Sequence, residues 1–177
     1  WKAYGNLPAL SRDCLRLIAI TGQRRGEVMS MRDQDIDRQG RTWTIPTRYS
    51  KSKRPHVVPL TSLAWKIIKP RLDGDSPYLF PSPRGGGERP IGTLQKAQEK
   101  ARAEAEVSDA TVHDWRRAAT TRMAKAGVSS FLLARVLNHA DTSVTGRHYN
   151  LFDYHDEKRK ALKAWEKELR RLLNDDK

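Results

Sequence analysis

With 34 lysines and arginines against 21 aspartates and glutamates, this 177-residue chain carries a formal charge of +13. That balance favours a polyanionic partner over a solvated basic surface or an anionic membrane, because such cations release condensed counterions from phosphate backbones. The length suits one domain with a substantial core, and no apolar run approaches membrane-spanning length or forms a signal peptide. One cysteine, Cys14, can form neither an internal disulfide nor a cysteine-rich zinc site. It sits in the apolar run CLRLIAI, so a small buried hydrophobe and a reducing compartment are expected. The chain opens at Trp1 without a methionine, as expected of an excised piece whose neighbouring domain is absent.

Residues 8–20 carry Leu10, Cys14, Leu17 and Ile18 at helical spacing, which predicts a core-facing helix. Gly22 suits its C-terminus, and a second short helical run is expected from Arg24-Arg25-Gly26-Glu27-Val28 through Met31. A basic pair after a turn is commonly just surface. An arginine held at a buried helix junction, with Glu27 three residues on to fix it, would be a site. From 41 to 60 the period changes. RTWTIPT alternates with Trp43 and Ile45 on one face, HVVPL is β-branched, and RYSKSKRP between them is strongly basic. Two strands joined by a cationic, phosphate-facing tip are expected, the other reading being a solvated loop charged against edge pairing. Residues 63–68 read as a short apolar helix ended around Pro70. Residues 77–87 read as a turn-rich stretch anchored by Tyr78, Leu79 and Phe80, and 94–105 as a solvent-exposed helix.

Ser108 or Asp109 is expected to cap the next helix, which carries His113. Its apolar stripe is Trp115, Ala118, Ala119, Met123 and Ala126, and Gly127 ends it. Ser129 or Ser130 starts another, with Phe131, Leu132, Leu133, Val136 and Leu137 toward the core and His139 at its C-terminal end. Residues 153–173 predict a long basic amphipathic helix with Leu162, Trp165, Leu169 and Leu172 on one side. It would close the domain's own core or dock on a partner subunit.

His113 and Arg116, three residues apart, are neighbours on one helix flank. Around a phosphodiester, Arg24 and Arg116 would offer two guanidinium forks that match its non-bridging oxygens and stay charged. They would stabilise charge growing in a pentavalent transition state, the role that two metal ions take in many nucleases. A tyrosine such as Tyr149, whose phenol ordinarily titrates at about 10, needs activation by positioning and nearby cations to act as nucleophile. Lys51 on the hairpin tip is the best candidate acid for the leaving sugar oxygen, with Lys53 its competitor. A phosphotyrosine ester would conserve the bond energy, so strands could rejoin without ATP. Singly, each residue has an ordinary role: His113 as a capping or core histidine, Arg116 in a surface ion pair, Tyr149 as a packed aromatic. His139 is favoured at a helix C-terminus by electrostatics alone. Their conjunction, in this order, carries the reading.

The same residues stand in motifs that resemble the catalytic domain of the tyrosine recombinase (phage integrase) family. TGQRRGEV resembles its first arginine motif, giving Arg24 with Glu27 as supporting acid, and SKSKRPHVVPL gives the hairpin lysine, Lys51. HDWRR resembles the His-x-x-Arg motif, giving His113 and Arg116; LNHA gives the second histidine, His139; TGRHYN gives the nucleophile, Tyr149, with Tyr154 the only nearby substitute. The match is collinear from residue 21 to 149. It departs from the family at Asn138, where many relatives carry glycine, and in a step from His139 to Tyr149 one residue longer than the commonest.

The resemblance implies a mainly α fold with a small antiparallel β-sheet, residues 1–177 forming a single catalytic domain and one jaw of a DNA clamp. It implies double-stranded DNA as partner, met by Arg48, Lys53, Arg54 and Arg117, and strand exchange through a 3′-phosphotyrosine with no metal or other cofactor. Protomers would assemble on paired sites as a tetrameric synapse, in the cytoplasm of a bacterium and associated with its nucleoid. Other readings are a type IB topoisomerase and a DNA-binding module without catalysis. A metal phosphohydrolase built on His113, Asp114, His139 and Asp141 is a third, on a weak pattern, because a metal needs further ligands and their orienting partners.

Overall fold

The computed structural model describes residues 1–50, 54–84, 86–139 and 153–175. Its packing centres on α2 (Ala9–Thr21), which follows a single-turn α1 (Lys2–Gly5). In α2, Cys14, Leu15, Leu17, Ile18, Ala19 and Ile20 are all buried, a wider face than the stripe at 10, 14, 17 and 18 suggested. Burial pushes the Cys14 thiol up to about 12, so it is inert packing. The helix stops at Gly22, which is left-handed at φ 64° and donates its N–H to the carbonyl of Ile18. A Cβ there would be strained and would sit 3.5 Å from both Ala119 and Leu137. α3 (Arg25–Met29) begins almost at once.

The sheet is three-stranded and antiparallel, in the order β1 (Ile36–Asp37), β2 (Thr42–Ile45), β3 (His56–Pro59). The expected hairpin is β2–β3, with Trp43 opposite Val58 and Ile45 opposite His56. Period-two geometry sends these four side chains to one face, where all are buried. The two-residue β1 was not expected; so short a strand leaves no alternation to read.

α4 (Ser62–Ile68) runs into a 3-10 turn at Lys69–Arg71, where Pro70 ends it as expected. Tyr78, Leu79 and Phe80 are buried anchors, and α5 (Gln95–Glu104) keeps only Ala101 in the core. α6 (Val112–Lys125) starts later than Ser108 or Asp109 would place it. Its cap is Thr111, whose backbone N–H and hydroxyl both donate to the Asp114 carboxylate, at 2.8 and 2.7 Å. α7 (Ser130–Val136) is capped by Ser129, which accepts from the Leu132 N–H at 3.3 Å. Leu133, Val136 and Leu137 are buried, but Phe131 is 46% exposed and meets Tyr154 edge-on instead of entering the core.

α8 (His155–Asp175) buries Ala161, Leu162, Trp165 and Leu169 against α2, α6, α7 and β3. Of the two expected roles for this helix, it takes the first and closes the domain's own core. No helix among the described residues is long and apolar enough to cross a membrane.

Candidate active site

The last carbonyls of a helix have no intrahelical partners and carry the negative end of its dipole. At the end of α7 three in succession are met by side chains from elsewhere in the fold. The carbonyl of Val136 accepts from Gln23 Nε2 at 2.9 Å and from His56 Nε2 at 3.1 Å. That of Leu137 accepts from Arg116 at 2.5 Å, and that of Asn138 from Arg24 at 3.2 Å. α2, α3, α6, α7 and the hairpin are thereby joined at one point.

Arg24 is the extended residue that caps α3. Buried Glu27 accepts its backbone N–H at 3.1 Å and its guanidinium at 3.0 Å, so chain and side chain are fixed by one carboxylate. Arg116, on α6 and 5% exposed, also donates to the carbonyl of Gly22 at 2.8 Å. A guanidinium has five N–H donors, so each arginine retains donors for an anion after these bonds. Burial, then the charge of Arg24, pushes the Arg116 pKa down to about 10, with Glu27 opposing. Arg116 therefore keeps its charge at neutral pH. Glu27 pairs with Arg24 and acts on Arg116 only through its charge, and a bound anion would relieve the repulsion between the two cations.

A cleft of about 670 Å³ opens over these groups, lined by Arg24, His113 and Arg116 together with Arg25, Gln98 and Arg102. His113 is exposed on the first turn of α6, and His139 is exposed just past α7. Burial first, then the charges of Arg116 and Arg24, holds the His139 pKa below the ordinary histidine value. Its imidazole is neutral at neutral pH. The structure thus brings Arg24, His113 and Arg116 onto one cleft, with Glu27 behind Arg24 and His139 within the field of both arginines.

Of the expected DNA contacts, Arg48 is exposed with its guanidinium 4.9 Å from the Tyr49 ring, and Arg54 is exposed just before β3. Arg117 is exposed and paired with Asp114 at 3.3 Å. Lys51, Lys53, Asp141 and Tyr149 lie outside the described residues. Tyr154, the substitute nucleophile, is left-handed at φ 54° and packs its ring against Phe131 and beneath Arg135. Among the described residues, no three His, Cys, Asp or Glu side chains gather as metal ligands.

Sequence reasoning missed Gln23, His56 and the side chain of Asn138. His56 is buried, and its pKa falls to about 3, chiefly through burial and then the charge of Lys158. A carbonyl can only accept, so Nε2 of this neutral ring carries the hydrogen. The available signal was alternation: His56 falls on the same core face as Val58, where a polar group must find a partner. Asn138 is left-handed at φ 51°, a conformation that asparagine tolerates better than other residues with a side chain.

A family model described as the phage integrase family matches residues 2–156. Prophage integrase IntA of Escherichia coli (strain K12) is 30% identical over 165 residues, covering 89% of this chain and 38% of IntA. The putative integrase/recombinase y4gC of Sinorhizobium fredii is 31% identical over 159 residues, covering 81% of this chain and 79% of its own. Among solved structures, the integrase from mycobacterium phage Brujita superposes with a TM-score of 0.68 at 18% identity, covering 93% of this chain and 55% of that one. XerH site-specific recombinase bound to its difH substrate gives 0.62 at 20% identity, covering 93% and 51%. The chain therefore spans well under two thirds of IntA and of both solved proteins.

Proposed function

This chain belongs to the phage integrase family, and from that premise we propose that it is the catalytic unit of a site-specific DNA recombinase, working by a 3′-phosphotyrosine intermediate without metal or ATP. The observation that carries the proposal is the pair Arg24 and Arg116, set at adjacent carbonyls and facing one cleft with His113. Two fixed guanidinium groups suit the non-bridging oxygens of a phosphodiester and the charge that builds on them. His113 adds a hydrogen bond from the same cleft. Tyr149 attacks phosphorus, and its phenolic proton passes to the neutral imidazole of His139. The bond to the 5′-oxygen breaks, and Lys51 gives that oxygen its proton. Reversal of these steps with a new 5′-hydroxyl rejoins the strand.

The partner is double-stranded DNA, met in the cytoplasm; the Tn1549 transposon integrase, of similar fold, was solved in complex with circular intermediate DNA, and XerH bound to its difH substrate. Arg48, Lys53, Arg54 and Arg117 extend the cationic surface along its backbone, and further protomers assemble on paired sites.

The test is a nicked suicide substrate, from which the cleaved fragment escapes and traps the covalent adduct, followed by peptide mapping. An adduct at Tyr149, absent from Tyr149→Phe while DNA affinity is kept, is the expected result. No adduct from the wild-type chain would reduce it to a binding module, and an adduct at Tyr154 would move the nucleophile. Relaxation of a plasmid without target sites, yielding no recombinants, would favour a topoisomerase.

A further inference from the structure

We infer that Asn138 is a positioning residue for the general acid: its side-chain amide latches the base of the cationic hairpin to the end of α7. The inference rests on the reading above, in which Lys51 protonates the leaving oxygen.

The amide nitrogen of Asn138 donates to the hydroxyl oxygen of Ser50 at 2.9 Å. Ser50 is buried, and its own N–H closes a turn onto the carbonyls of Pro46 and Thr47 at 3.1 and 3.2 Å. The amide therefore grips an ordered turn, and the next residue in the chain is Lys51. On its other side Asn138 receives Arg24 at its carbonyl, and the next residue is His139. One residue thus connects the guanidinium, the second histidine and the base of the loop that carries the acid.

The left-handed backbone of Asn138 needs only a residue that accepts positive φ, and glycine meets that need with less strain. What glycine lacks is the amide. A lysine is long and rotamer-rich, so its ammonium reaches a leaving oxygen reproducibly only if its backbone is anchored. In the step at issue the Tyr149 oxygen bonds to phosphorus, the bond from phosphorus to the 5′-oxygen breaks, and the electron pair leaves on that oxygen. The Lys51 ammonium supplies its proton. Loosening the latch would slow only the proton delivery.

The experiment uses the full chain with two suicide substrates, one of ordinary phosphodiester and one with sulfur at the 5′-bridging position, whose thiolate leaves without a proton. Asn138→Gly keeps the backbone and Arg24's acceptor; Ser50→Ala removes the other half of the latch. Each should slow single-turnover cleavage of the oxygen substrate about tenfold or more, a part of what a general acid contributes. Cleavage of the sulfur substrate and DNA affinity should stay near wild type, and the double variant should be no slower than either single one. Equal slowing on both substrates, or on neither, would overturn the latch. A wild-type chain that forms no adduct even with sulfur would overturn the recombinase reading itself, and the latch with it.

Discussion

The guanidinium of Arg116 donates to the carbonyl oxygen of Leu137 at 2.5 Å, binding a buried cation of α6 to the end of α7. The dipole of α7 puts its negative end at that point, which offsets part of the cost of keeping the charge away from water. The position of Arg116 is set by backbone atoms, those of Leu137 and Gly22, rather than by a flexible acid.

Arg116→Lys is the informative change, because an ammonium is a point charge that cannot reproduce a planar fork spanning two carbonyls and a phosphate. Single-turnover cleavage should fall about a hundredfold to a thousandfold, as for loss of a donor to transition-state charge, with little change in DNA affinity. One buried carbonyl loses its partner, so urea unfolding should show a loss of about 1–3 kcal/mol. Cleavage within threefold of wild type would remove Arg116 from the chemistry.

Glu27 holds Arg24 at two points, by its backbone N–H and its guanidinium. Glu27→Gln keeps the shape, but its amide can accept at only one end and turns a donor toward a cation. Cleavage should fall about tenfold and stability by about 1–3 kcal/mol, less than for a fully buried pair because the Arg24 side chain is 27% exposed. Unfolding and cleavage measured on the same preparation check both effects. Unchanged cleavage despite lower stability would make Glu27 a structural acid only.

Local spacing made half of this arrangement readable in advance. Gly22 announced the end of α2, the alternation of Trp43 and Ile45 announced the hairpin, and the three-residue step from His113 to Arg116 put them on one flank. The caps were harder: Ser108, Asp109 and Thr111 all suit the role, and only the acid at Asp114, three beyond Thr111, distinguishes them. Phe131 looked like core by its apolarity, yet it lies on the flank of α7 that Tyr154 and Arg135 cover. The ring of donors around Val136, Leu137 and Asn138 was out of reach. Gln23 and His56 meet Val136 from 113 and 80 residues away, and no local pattern says which carbonyl will receive them.

His56 makes stability depend on pH in a definite direction. Folded, its pKa is about 3; unfolded, it returns to about 6.5. Between those values the unfolded chain binds a proton that the folded chain refuses. The stability His56 contributes is therefore complete above the unfolded value and is lost as pH falls below it. His56→Gln keeps a donor for Val136 and removes the titration. From pH 7.5 to 5.5, urea unfolding should show the wild type losing about 1.4 kcal/mol more than this variant. Equal losses would mean that the ring is protonated in the folded state.

Trp165 decides whether α8 belongs to its own chain's core. Its indole N–H donates at 3.0 Å to the carbonyl of Ala19, an acceptor near the end of α2. The Gly22 N–H goes to Ile18, and that of Gln23 turns to the Thr21 hydroxyl, so the indole supplies a partner the end of α2 needs. Trp165→Phe keeps most of the ring's burial and loses that bond, at a cost of about 1–2 kcal/mol. Trp165→Ala leaves a cavity among α2, α6 and α7 and should cost about 3–5 kcal/mol. Both are read from urea unfolding at two protein concentrations tenfold apart. A helix packed on its own domain gives midpoints independent of concentration. A wild-type midpoint that rises with concentration would mean that α8 completes a second copy instead.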